Sequence, residues 1–275
     1  MVSSPMNRKS EFTMLKPLDV SRLSSPDVTR TSSPKSPNSM ASFMKPTTLP
    51  EPEPDTAHRV AGAFHVLATE AKSLLALSHL YAAHPEAQTG FTQAIEAITQ
   101  KHSGNGNGSE RGKLILCGVG KSGHIAKKLV ATFNSLGIQT VYLHPTEALH
   151  GDLGVVGRRD TLLFVTYSGK TPELLLLLPH IADTVKVAVL TSATRPSDCE
   201  IIRHRPDAIL LPAPCYEAEK TSFGVNAPTT SVTMAVSVGH ALAIVASREM
   251  YRSVPAVFAK NHPGGAIGAG FKTSS

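Results

Sequence analysis

The stretch "LCGVGKSGH", residues 116–124, lies where an apolar run gives way to helical spacing, and its reading decides the fold. Two phosphate-binding signatures overlap in it. Gly118, Gly120 and Gly123 spell the dinucleotide pattern G-x-G-x-x-G, while Gly120, Lys121 and Ser122 spell the end of a triphosphate loop. The triphosphate loop needs another glycine five positions before Gly120, where Ile115 sits inside the apolar run. No following strand ends in an aspartate placed to hold magnesium. A dinucleotide fold wants an acid at the end of the second strand to hold the ribose. Here that strand ends in Leu143, His144 and Pro145, with Glu147 already in the loop beyond. What survives is an anion cradle, in which backbone donors and the positive dipole end meet at a helix start.

Outward from that stretch, short apolar strands at 114–117, 139–143, 161–166, 186–190 and 208–211 alternate with helical segments. Between the first two, Ile125, Leu129, Phe133 and Leu136 repeat at helix spacing. Strands buried on both faces and separated by helices predict an α/β fold with a doubly wound, mostly parallel sheet flanked by helices. The third strand runs into "TYSGKTPE", residues 166–173, a second hydroxyl-rich turn that opens a helix. There Thr166, Ser168 and Thr171 offer hydroxyls, and Gly169 lets the backbone approach closely. Two such loops suit a phosphomonoester better than a triphosphate.

Upstream, helical spacing from Thr56 puts Val60, Phe64, Leu67, Ala71, Leu74, Leu75 and Leu77 on one face. A second helix is expected over 86–100, and "SGNGNGS" (103–109) reads as a flexible linker. Residues 228–250 read as a long apolar helix with Pro228 in its first turn. Residues 1–56 are rich in Ser, Pro and Thr and are expected to be a disordered tail. Its Ser-Pro pairs at Ser4, Ser25, Ser33 and Ser36 resemble kinase sites. The domain plan is therefore a tail over 1–56 and one domain over 57–275. Within that domain we expect N-terminal helices over 57–101, a flexible loop over 103–112 and the α/β core over 113–275.

Composition narrows the function classes. The 275 residues carry a formal net charge of +6 with no basic stripe, and only 5% are aromatic, which argues against nucleic acid as partner. Cys117, Cys199 and Cys215 are scattered and odd in number, neither a disulfide framework nor zinc spacing. With no secretory pattern at the N-terminus, a cytoplasmic location is expected. The uncharged stretch from Thr221 to Ser247 is broken by Asn226, Pro228 and His240 and reads as a buried helix rather than a membrane span.

The pattern T/S-x-S-G-x-T at 166–171 resembles the phosphate loop of the sugar isomerase (SIS) domain family. More closely, "GVGKSGHIAKKLVATFNSLG", "HPTEALHGDLG", "APTTSVT" and "NHPGGAIG", in that order, resemble the bacterial D-arabinose-5-phosphate isomerases. The resemblance implies an aldose–ketose isomerase of a phosphorylated sugar, working through an enediol(ate) without a cofactor or a metal. It implies homo-oligomers, dimers or tetramers, in which the C-terminal segment can reach a neighbouring subunit's site.

Carried over by motif, the proton-transfer candidates are Lys121, Glu173 and His262. The family's further glutamate falls in "CYEAEKTSFGVNAPTTS", which is about three residues longer here and lacks the family's Cys-Pro, so Glu217 and Glu219 both stay open. Phosphate and substrate contacts are expected from Gly120, Ser122, Thr166, Ser168, Gly169 and Thr171, with His150 beside them. His144 and Asp152 are weaker candidates for the same pocket. Many relatives continue into a pair of CBS domains after H-P-G-G, whereas here only ten residues follow Gly265. The rival reading is a sugar-phosphate sensor, which needs the phosphate loops but no proton-transfer groups.

Overall fold

The computed structural model describes residues 54–103 and 109–264. The tail therefore lies outside the described residues, apart from the start of the first helix, and so does the middle of the expected linker.

Five short apolar segments form one parallel sheet. They are β3 (Leu114–Cys117), β4 (Thr140–Leu143), β5 (Thr161–Val165), β6 (Lys186–Thr191) and β7 (Ile209–Pro212). Their order across the sheet is β4-β3-β5-β6-β7, and every pairing is parallel. Each predicted strand is present within one residue of its expected ends. Side chains alternate between two cores, as the period of two requires. Leu114, Leu116, Leu163, Val165 and Leu190 join one, and Ile115, Cys117, Leu162, Phe164 and Val189 the other.

The first core is closed by four helices: α1 (Pro54–Ala83), α2 (Pro85–Thr99), α3 (Gly120–Ser135) and α8 (Thr230–Met250). The second is closed by the short helices α4 (Pro145–Leu149), α5 (Pro172–Leu177) and α6 (Glu200–His204). The helix α7 (Glu219–Phe223) precedes α8, and α9 (Val254–Asn261) follows it. On α3, the predicted line of Ile125, Leu129, Phe133 and Leu136 is buried. The uncharged stretch becomes core helix α8, which buries Met234, Val238 and Leu242.

Two expectations change. The segment read as a flexible loop holds a small antiparallel hairpin of β1 (Lys101–Ser103) and β2 (Ser109–Arg111), in register Lys101 to Arg111. The Arg111 Nε donates to Thr99 O at 3.2 Å, tying the hairpin to the end of α2. The apolar face of α1 is the second. Only Leu77 of its predicted line is buried, while Val60, Phe64 and Leu67 are 62%, 71% and 67% exposed. The helix packs on the body through Ser73, Leu77, Leu80 and Tyr81 instead.

In the order β4-β3-β5, the chain leaves β3 towards β4 and returns to β5 on the other side. That reversal opens a crevice beyond the carboxyl ends of β3 and β5. The loops after those two strands are the two hydroxyl- and glycine-rich turns.

Candidate active site

A cavity of about 450 Å³ occupies this crevice. Its first wall is the start of α3. Gly120 has φ +58, a left-handed conformation that lets the chain turn sharply from strand into helix. A Cβ on Gly123 would lie 2.8 Å from Tyr142 Oη, whose hydroxyl donates to Gly118 O at 2.7 Å and fixes the turn. The N-cap is Val119, which has no side-chain oxygen to satisfy the first-turn N–H groups. Those donors, with Lys121 and Ser122 lining the cavity beside them, form a corner suited to an anion. Lys121 has no carboxylate partner among the described residues.

The second wall comes from the loops after β5 and β6. Thr166 lines the cavity, and its Oγ1 lies 2.7 Å from Thr171 Oγ1, so Thr171 stands behind Thr166 and outside the cavity lining. Ser168 also lies outside the lining, with its Oγ accepting from Lys170 N at 3.4 Å. Gly169 has φ +66, and a Cβ there would lie 2.9 Å from Cys199 Sγ. Its glycine answers the packing of α6 rather than an approach to ligand. Tyr167, Thr191 and Ser192 line the cavity as well. Both Thr191 and Ser192 hydroxyls donate to Tyr167 O, at 3.0 and 2.6 Å.

The third wall carries the acid. Glu219 is buried at the first residue of α7, and its Oε1 accepts from Thr229 N at 2.6 Å, Ser231 N at 3.0 Å and Ser231 Oγ at 2.8 Å. The carboxylate thus caps α8 and lines the cavity, leaving Oε2 without a protein donor among the described residues. Next to it, burial and the Glu219 charge push the Cys215 thiol up to about 11. Burial first, then the Cys215 and Glu219 charges, raise the Tyr167 phenol.

Several expected residues stand elsewhere. Glu217 is exposed, and its carboxylate accepts from Ser222 Oγ at 2.5 Å. Glu173, half-buried in the first turn of α5, does not line the cavity. His150 and Asp152 are exposed in the turn after α4, and His144 caps that helix with a buried, unpartnered Nδ1. His262 is the largest displacement. Its ring stacks on Phe258 at 3.9 Å, its Nδ1 meets Phe258 O at 2.7 Å, and its Nε2 lies 3.3 Å from Ser135 Oγ. Ser135 ends α3 and Lys121 begins it, so His262 sits about 20 Å from the cavity of its own chain. Of the five proton-transfer candidates, Lys121 and Glu219 share the cavity.

Asn226, Thr191 and Ser192 line it without having been singled out from the sequence. The last two had a signal, since Thr191 ends a parallel strand at its carboxyl end and Ser192 follows it. Asn226 had none.

Residues 109–245 match the model of the SIS domain. Arabinose 5-phosphate isomerase KpsF of Escherichia coli is 37% identical over 159 residues, which cover 58% of this chain and 48% of the relative. The chain spans about half the length of the curated relatives it matches. Among solved structures, a candidate phosphosugar isomerase involved in capsule formation from Bacteroides fragilis is 28% identical with a TM-score of 0.61. It covers 75% of this chain and 98% of its own. A protein of Escherichia coli CFT073 in complex with A5P is 29% identical with a TM-score of 0.58, covering 76% and 98%.

Proposed function

Residues 109–245 belong to the SIS domain family, and from that premise we propose that the chain is an aldose–ketose isomerase of a phosphorylated sugar. Its substrate pair is D-ribulose 5-phosphate and D-arabinose 5-phosphate. The observation that carries the reading is that a cationic helix start and a buried carboxylate line one cavity of about 450 Å³. The likeness to the KpsF isomerase and to the A5P complex supports the choice of sugar.

In this reading the phosphate rests on the α3 N-terminus with Gly120, Ser122 and Thr166. Ser168, Gly169 and Thr171 hold the loop behind them. A base takes one proton from C1 of the ketose, and the C2 carbonyl oxygen takes up the charge as an enediolate. The O1 proton then passes to O2 as a proton returns to C2, which leaves the aldehyde at C1 and a hydroxyl at C2. Glu219 serves as that base, with Oε1 anchored and Oε2 turned to the substrate. Lys121, at the mouth of the cavity, offers its cation to the enediolate oxygen. His262 serves the cavity of a neighbouring subunit in a homo-oligomer, assisting ring opening there. The chain works in the cytoplasm, where the thiols of Cys117, Cys199 and Cys215, all free, stay reduced.

A sensor is the second reading, favoured by one observation: Glu219 already caps α8 through three bonds of 3.0 Å or less. Proton exchange separates the two. Ribulose 5-phosphate incubated with the protein in deuterated water is expected to gain deuterium at C1 and to yield arabinose 5-phosphate, both read by NMR. Binding of pentose and hexose phosphates without exchange in any of them leaves the sensor.

A further inference from the structure

A proton that crosses from O1 to O2 of the sugar needs a carrier that can give and take in one step. Lys121 is a cation with donors only, and Glu219 holds the C1 proton at that moment. That leaves the hydroxyls that line the cavity among the described residues. Ser231 Oγ donates to Glu219 Oε1 at 2.8 Å. The Thr191 and Ser192 hydroxyls both donate to Tyr167 O, at 3.0 and 2.6 Å. Thr166 Oγ1 is paired with Thr171 Oγ1 at 2.7 Å, and Ser122 stands in the corner assigned to the phosphate. The Tyr167 phenol is the one that remains.

Tyr167 is also held as a fixed arm. Its carbonyl accepts from Ser192 N at 2.9 Å as well as from the two hydroxyls, so the turn after β5 is tied to the end of β6. The side chain lines the cavity, with its phenol in reach of the Cys215 thiol and the Ser192 hydroxyl and beside the Glu219 charge. Neither neighbour ties it down. Thiol sulfur is a weak acceptor, and the Ser192 hydroxyl already serves the backbone, so a sugar oxygen can displace both.

We propose, resting on the isomerase reading, that the Tyr167 phenol is the proton relay between the two reacting oxygens of the sugar. The phenol gives its proton to O2 of the enediolate and takes the proton of O1, ending as it began. Glu219 gives the proton it holds to C2. In sum the C1–H and O1–H bonds break, C2–H and O2–H form, and the carbonyl moves from C2 to C1. Burial first, then the Cys215 and Glu219 charges, raise the phenol above its ordinary 10.0. That shift keeps it neutral at working pH and nearer in acidity to an enediol hydroxyl, the condition for easy transfer in both directions.

Deuterated water reads the two halves of the reaction separately. Deuterium entering C1 of ribulose 5-phosphate reports the Glu219 step alone, whereas arabinose 5-phosphate appears only if the relay also works. Tyr167→Phe keeps the ring at a site that is 48% exposed, so folding does not hang on the hydroxyl. Its kcat for arabinose 5-phosphate is expected to fall about a hundredfold with KM within about twofold, while C1 exchange stays within about threefold of wild type. A merely structural role would lower exchange and conversion together, and that outcome overturns the relay. So does a Tyr167→Phe that converts as fast as wild type. Cys215→Ala keeps the phenol, and its ratio of exchange to conversion is expected to match wild type; a raised ratio assigns the relay to the thiol and overturns the proposal. A wild type that exchanges no proton overturns the isomerase reading and the relay with it, so the wild type alone tells the two failures apart.

Discussion

Glu219 caps α8, and in the proposed mechanism it is also the base; a substitution can divide the two roles. In Glu219→Gln the amide oxygen still accepts from Thr229 N and Ser231 N, so the cap survives at a cost of about 1 kcal/mol or less. The base is gone, however, and kcat is expected to fall at least about a hundredfold in a coupled assay for arabinose 5-phosphate. Glu217→Gln should stay within about twofold of wild type, because Glu217 is exposed and bonds only Ser222. Equal losses in both variants would remove Glu219 from the mechanism. Counting along the chain left these two residues open, and no count could close it. What separates them is reach to the first turn of α8, a distance across the fold. The cysteines give a prediction of another kind. Burial holds the Cys117 thiol up at about 12, and burial with the Glu219 charge holds Cys215 at about 11, both from an ordinary 9.0. Both pKa values are raised in the fold, so the stability they lend is whole below pH 9.0 and is lost as pH rises towards 11–12. The melting temperature should therefore fall from pH 9 to 11, and fall less in Cys117→Ala. At neutral pH a thiol reagent should meet at most Cys215 in the native protein and all three cysteines in denaturant.

Among the elements, α2 and α1 show opposite uses of glycine. Gly90 lies where α2 crosses β7, and a Cβ there would fall 2.0 Å from the carbonyl oxygen of Leu210. Backbone cannot yield as a side chain does, so Gly90→Ala should cost about 3 kcal/mol or more in denaturant unfolding. Gly62 lies in the exposed first half of α1, and a Cβ would meet nothing within 4 Å. Gly62→Ala should therefore gain about 0.5–1 kcal/mol from helix propensity, with no change in oligomeric mass. A stabilising Gly90→Ala would mean that α2 does not cross β7 this closely. The strands were legible because a parallel sheet buried on both faces must be apolar without a break, as "LILC" and "TLLFV" are. The periodicity of α1 was equally clear, yet it says only that one face is apolar. Which side of the helix meets the body depends on Leu77 and Tyr81 reaching Phe91 of α2 and Val238 of α8, and the window of sequence contains neither helix.

For the whole molecule, the place of the site was readable before its composition. A glycine loop after β3 and a hydroxyl loop after β5 flank the reversal of strand order, and the cavity lies there. One far wall holds Asn226, brought in by chain that has first run through β6, β7 and α7, where no local pattern marks it. His262 carries the same lesson further, since a motif match names a residue without saying whose cavity it serves. At about 20 Å from Lys121 of its own chain, it can act only across a subunit boundary. Complementation tests this. Lys121→Ala and His262→Ala should each be inactive alone, having lost one component of every site. When the two are co-expressed, half of the dimers are hybrids, and each hybrid holds one site free of both substitutions. About a quarter of wild-type activity should return. Activity that stays at the level of the single variants would place His262 outside any shared site, and an active His262→Ala would remove it from the chemistry altogether.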